Sequence, residues 1–130
     1  MRARWADLAE FKEADGEYIP GTLMMFGGEK EITMSNGRVC NAIVTSNPGL
    51  ILNGDNQEGK QMVGIALIGT VPVRVRGKVK KFDKLVPSRR WAGMARRRRW
   101  YDWMFFKKTI GIAMGEPKDG LVECVTKLEF

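Results

Sequence analysis

From residue 18 onward the apolar positions of this 130-residue chain come in short runs cut by glycine, asparagine and proline. That is the punctuation of strands and turns rather than of helices. Pro20-Gly21 leads into TLMMF at 22–26, and Gly27-Gly28 marks a turn before EITM at 31–34. Asn36-Gly37 is a stronger signal, because both central residues of a type I′ hairpin turn need positive φ and this pair tolerates it. A hairpin is therefore predicted between 31–34 and the β-branched run RVCNAIVT at 38–45. Ser46-Asn47-Pro48-Gly49 ends that strand, since proline cannot continue a ladder. The polar stretch NGDNQEGKQ at 53–61 reads as an exposed loop.

The run MVGIALIG at 62–69 is continuously apolar, as expected of a central strand covered on both faces. TVPVRVR at 70–76 then alternates, with valines turned to a core and Arg74 and Arg76 to water. Residues 77–86 read as a turn feeding a short strand that closes over a barrel. Segments 109–114 and 120–128 flank the turn EPKDG at 116–120 and form a C-terminal hairpin. Only the start of the chain departs from this pattern. There Trp5, Leu8, Ala9 and Phe11, set among Asp7, Glu10, Glu13 and Asp15, read as a short helix or an extended arm lying on a neighbour. The expected fold class is all-β, a single small β-barrel or sandwich over 18–130, with the arm or helix at 1–17 and one long basic-aromatic inter-strand loop at 89–108.

Charge changes the picture at that loop. The chain carries 22 basic and 15 acidic residues, and the loop, RRWAGMARRRRWYDWMFFKK, holds eight of the former and only Asp102 of the latter. The remainder is neutral. Three of the four tryptophans lie in the same loop, with Tyr101, Phe105 and Phe106. Arg, Trp and Tyr dominate binding energy at interfaces, filling pockets and stacking guanidinium planes on rings. The candidate interface residues are thus Arg96, Arg97, Arg98, Arg99, Trp100, Tyr101, Trp103, Phe105 and Phe106. A partner's carboxylates would suit the planar arginine fork. Nucleic acid stays open as an alternative, because clustered arginine neutralises phosphate and the rings could stack on unpaired bases. A membrane surface fits the composition of the loop alone, but no apolar run approaches the ~20 residues that span a bilayer, and no membrane partner is expected.

The chain has no histidine, which excludes imidazole metal sites and Ser-His or Cys-His nucleophiles. Cys40 and Cys124 sit in apolar, strand-like contexts and read as buried free thiols. The N-terminus has acidic residues where a signal peptide needs an apolar core, so synthesis in a cytosol is expected. The acidic cluster Asp7, Glu10, Glu13, Asp15 and Glu17 fits no calcium-loop spacing and reads as a solvated face or a patch pairing with arginines of a neighbouring copy. Gly27-Gly28 lacks the lysine-serine pair and following helix of a phosphate loop. No cofactor, metal site or enzymatic activity is expected.

An ordered series of short motifs carries a resemblance: ADLAE at 6–10, YIPGT at 18–22, FGG at 26–28, VTSNP at 44–48, the run at 63–69, VPV at 71–73, GKV at 77–79 and IGIA at 110–113. Together they resemble the C-terminal domain of phage tail-fibre and neck-appendage proteins, the family that includes autoproteolytic intramolecular chaperones. The resemblance implies a β-rich virion structural protein, made in the host cytoplasm, usually trimeric, whose partners are its own copies and other virion proteins. In relatives that cleave themselves, carboxylates near the Ala-Asp element assist; the matching positions are Asp7 and Glu10. The numbering begins just before that element, so a free-standing minor virion protein or a released fragment is expected, with autoproteolysis the runner-up. The Gly93-Met94-Ala95 step resembles the family's loop end, but the arginine-aromatic sequence after it departs from the family and suggests a loop enlarged to dock on a capsid, neck or tail surface.

Overall fold

The computed structural model describes residues 6–45, 61–105, 107–126 and 128, with side chains from residue 10 onward except that of Phe105. Within them lie nine strands: β1 (Ala6–Glu13), β2 (Leu23–Phe26), β3 (Ile32–Met34), β4 (Ala42–Val44), β5 (Met62–Arg74), β6 (Lys84–Pro87), β7 (Ala95–Arg97), β8 (Gly111–Ala113) and β9 (Leu121–Thr126). A 3₁₀ helix, Trp100–Phe105, follows β7. The strands join in one curled, antiparallel sheet of order β3-β2-β4-β5-β9-β8-β6-β7, and β1 pairs with β5. The all-β expectation holds.

Both ends of the sheet bend back toward the middle. Ala14, just past β1, bridges to Ile32 in β3, and Val75, just past β5, bridges to Ala95 in β7. The result is two apolar cores on either side of a shared wall made of β2, β4 and β5. Leu23, Ile43, Ala66, Val71 and Val73 face one core, with Leu85, Ala95, Ala113 and Val122 opposite them. Met24, Ala42, Val44, Val63 and Ile65 face the other, with Ala14 and Ile32 opposite. Neighbouring residues of a strand point to opposite faces, so a wall between two cores must be apolar at successive positions. This explains the unbroken apolar runs LMM, AIV and GIA. In β5, Ile65 and Ala66 are both fully buried on opposite faces, whereas Ile68 emerges at 54% exposure. The apolar run at 62–69 and the alternating stretch after it form one strand as far as Arg74: β5 pairs with β1 as far as Gly69 and with β9 from Thr70 onward.

Two expectations are corrected. Of the two readings at the start of the chain, the short helix is corrected: residues 6–13 are extended and form a strand along β5 of the same chain, with Phe11 opposite Gly64. The alanine, leucine, glutamate and lysine of this segment favour a helix locally, but the edge of β5 presents backbone groups that need partners, and pairing prevails. A Cβ at Gly64 would come within 2.9 Å of the Thr45 carbonyl oxygen and touch the Phe11 ring at 3.4 Å, so the glycine makes room chiefly for the backbone following β4. The second concerns Asn36-Gly37. β3 and β4 are not hairpin partners; each pairs with β2. The Asn36 side-chain oxygen instead accepts the amides of Arg38 (2.9 Å) and Val39 (3.3 Å), and only Gly37 has positive φ, 88°. The pair turns the chain across the end of the sheet. The turn at 46–49 and positions 53–60 of the polar loop lie outside the described residues.

The C-terminal hairpin and the short strand before the basic segment are as expected, β8 with β9 and β6 with β8. Cys40 and Cys124 are buried free thiols of one core. Burial pushes each up to about 12, leaving both protonated at neutral pH. No helix of the described residues is long and apolar enough to cross a membrane, and no group of three or more cysteine or carboxylate side chains among them could hold a metal ion.

Candidate interaction surface

The segment expected as a long loop has internal structure. Its first part makes a turn in which the Ser88 hydroxyl accepts the Trp91 amide at 3.0 Å, and its middle is β7, paired with β6. The Leu23 amide donates to the Gly93 carbonyl at 2.9 Å. A Cβ at Gly93, where φ is 75°, would come within 2.7 Å of the Met34 sulfur. Gly93 thereby lets β7 close against the shared wall, which fixes the start of the basic run.

Asp102, the single acid of the segment, organises the chain after β7. Its carboxylate is almost wholly buried and takes two bonds from Arg96, Nη1 to Oδ2 at 2.9 Å and Nη2 to Oδ1 at 2.6 Å. Oδ2 also accepts the Arg99 amide at 2.6 Å, and the Asp102 amide donates to the Arg99 carbonyl at 3.0 Å. The 3₁₀ helix is thus capped and tied to β7 by one side chain. Bonding to the Arg96 guanidinium, more than the burial that opposes it, holds the Asp102 carboxyl below its ordinary range and raises Arg96 in turn.

The other candidates divide by role. Arg97 is exposed on β7. Arg98 donates to the Thr109 hydroxyl at 2.8 Å, and Arg99 to the Tyr101 hydroxyl at 2.7 Å. Trp100 and Trp103 are open to solvent, 82% and 63% exposed, and Trp100 meets Tyr101 edge-on with ring centres 5.6 Å apart. Met104 adds a third exposed apolar side chain. The side chain of Phe105, and all of Phe106, lie outside the described residues. Of the arginines proposed as free anchors, Arg96 and Arg99 are bonded inside the segment and Arg98 to Thr109 just beyond it, while Trp100 and Trp103 project from it.

Beside the 3₁₀ helix lies an open groove of ≈ 1010 Å³ whose lining includes Arg38, Arg76, Arg89, Arg90, Arg96, Arg99, Lys107 and Lys108, with Asp102 the lone acid. Arg38 and Arg76 come from outside the basic segment. The Asn36-Gly37 turn delivers Arg38; the strand alternation that put Arg76 in water was legible, but its neighbour across space was not. Arg76 lies over the Trp91 ring at 4.0 Å, and Arg90 approaches the same ring at 5.5 Å. Lys107 Nζ donates to the carbonyl oxygens of Gly37 and, at 2.9 Å, Pro87. Desolvation first, then the positive charges of Arg96, Arg89 and Arg38, hold Lys107 below its ordinary value, partly offset by Asp102. The surface is a cationic groove beside a 3₁₀ helix from which Trp100 and Trp103 project into solvent.

No protein-family profile matches the chain, and no curated protein is significantly similar to it in sequence. Solved structures do match in fold. The C-terminal fragment of gene product 12 of bacteriophage phi29 superposes with a TM-score of 0.63 at 14% identity, covering 93% of this chain and 100% of that one. The N base of the head fibre gp8.5 of bacteriophage phi29 superposes with a TM-score of 0.57 at 16% identity, covering 95% of this chain and 98% of that one. At these identities the likeness establishes a shared fold, spanning nearly the whole of all three chains.

Proposed function

We propose that this chain is a non-enzymatic structural component of a phage virion, made in the host cytoplasm, which self-associates, as a trimer, and docks on a capsid, neck or tail surface through the segment at 89–108. The observation that carries this reading is the end-to-end fold likeness to the base of a phage head fibre. The exposed pair Trp100 and Trp103 supports the docking role, standing beside arginines already fixed by Asp102 and Thr109. Burying each ring on a partner would contribute about 1.5 to 3 kcal/mol by area, and the fixed arginines lose little further freedom on pairing.

Nucleic acid is the second reading, favoured by the groove's eight cations. Against it, guanidinium groups already lie against the Trp91 and Tyr101 rings, where bases would stack. The docking reading predicts that Trp100→Ala with Trp103→Ala reduces incorporation into particles roughly tenfold or more, while stability stays within about 0.5 kcal/mol of the parent because both side chains are exposed. Quantitative mass spectrometry of purified particles, with thermal unfolding of the isolated chain, measures both. Normal incorporation of the double variant would remove the docking role from this segment.

A further inference from the structure

An acidic pole lies outside the lining of the cationic groove. The ends of β1 and β3 meet there: the Glu31 amide donates to the Glu13 carbonyl at 3.0 Å, and the Glu13 amide to Glu31 Oε1 at 2.8 Å. Asp15 accepts the Thr33 hydroxyl at 2.6 Å and the Tyr18 hydroxyl as well. Glu17, Glu29 and Glu31 are exposed. Residues 10–31 contain six acids against Lys12 and Lys30. Those lysines pair locally, Lys12 with Glu10 at 3.4 Å and Lys30 with Glu13 at 3.8 Å. Six acids against two lysines leave the pole negative.

β3 connects the two poles. Its first residue follows Glu31, and the turn after its last residue carries Arg38 into the groove. The strand and turn hold Glu31 and Arg38 apart along the chain, and in the groove the lone acid is already committed to Arg96. Among the described residues each pole therefore keeps a net charge, positive in the groove and negative at the ends of β1 and β3. Each finds its complement on the next.

We infer that copies of this chain associate head to tail, the acidic pole formed by the ends of β1 and β3 of one copy entering the cationic groove between Arg38, Arg76, Arg90 and Lys107 of its neighbour. Such a contact joins two different surfaces, so it closes into a ring when the rotation per copy divides the circle. That is a concrete geometry for the self-association proposed above, on which the inference rests. The two fail separately, because Trp100 and Trp103 are not part of the groove lining. The crowding of like charge around Lys107 is relieved in this contact.

The test is a charge exchange on the full chain, read by sedimentation velocity. One variant reverses the groove (Arg38→Glu with Arg90→Glu), the other the pole (Glu17→Lys with Glu29→Lys); all four side chains are exposed. The parent is expected to associate at about 0.05 M salt and roughly tenfold more weakly at about 0.5 M. Each variant alone should associate roughly tenfold or more weakly than the parent, since one like-charged face now meets another. An equal mixture should recover association, because groove and pole are complementary again between the two species. A variant that associates like the parent, or a mixture no tighter than its components, overturns the inference. So does a parent that stays single at low salt, whether it binds nothing or captures a single-stranded oligonucleotide; capture would assign the groove to nucleic acid.

Discussion

Replacing Asp102 by asparagine is expected to destabilise the chain by about 3 kcal/mol, lowering the melting temperature by roughly 10 to 15 °C. The carboxylate is buried and receives two guanidinium bonds and a backbone amide. An amide in its place keeps part of this geometry but leaves the Arg96 cation without its counter-charge. Arg96 would then face Lys107 and the other groove cations, so repulsion adds to the lost bond. Acid sensitivity gives the sign. A carboxyl held below its ordinary value contributes stability that is complete above the unfolded value and is lost as pH falls through the depressed one. The parent should lose this stabilisation below about pH 4; Asp102→Asn should show no such increment there, and salt near about 1 M should restore part of its deficit at neutral pH by screening the cations. Denaturant unfolding across pH checks this, and an unchanged midpoint at pH 7 would contradict it.

Gly37→Ala should be about as damaging, costing about 3 kcal/mol, for a different reason. With φ at 88°, a side chain here is strained by about 1 to 2 kcal/mol. A Cβ would also lie 2.5 Å from the Arg89 Cα and 2.8 Å from its amide nitrogen, so backbone rather than a pliable side chain must move, adding about 1 to 3 kcal/mol. Because the Gly37 carbonyl accepts Lys107 Nζ, the shift also disturbs the groove. Asn36→Ala, which loses only the side-chain bonds to two exposed amides, should cost about 1 kcal/mol. Equal costs for the two substitutions would show that the close approach to Arg89 does not matter.

Much of the scaffold was legible because its signals are local. Valine alternation placed Val71, Val73 and Val75 in a core and Arg76 in water, and the glycine and proline turns bounded β2, β3, β8 and β9. The features that were not legible depend on distant partners. Helical spacing of Leu8 and Phe11 misread β1, because the segment is extended only by the edge of β5. The Asn36-Gly37 pair marked a turn but not its destination, since β2 lies between the strands it joins. The candidate site was half visible. The basic-aromatic segment stands out in sequence, yet nothing local says that Asp102 consumes Arg96, or that Arg38 and Arg76 arrive from elsewhere to complete the groove.

If, as proposed, this fold serves as a virion part held by its basic-aromatic face, that face is covered in the assembled particle. A cryo-EM reconstruction of purified particles tests it most directly. This chain should be present in the particle, with Trp100 and Trp103 buried against a neighbouring protein chain. Particles that lack the chain, or that carry it with both tryptophans open to solvent, would contradict it.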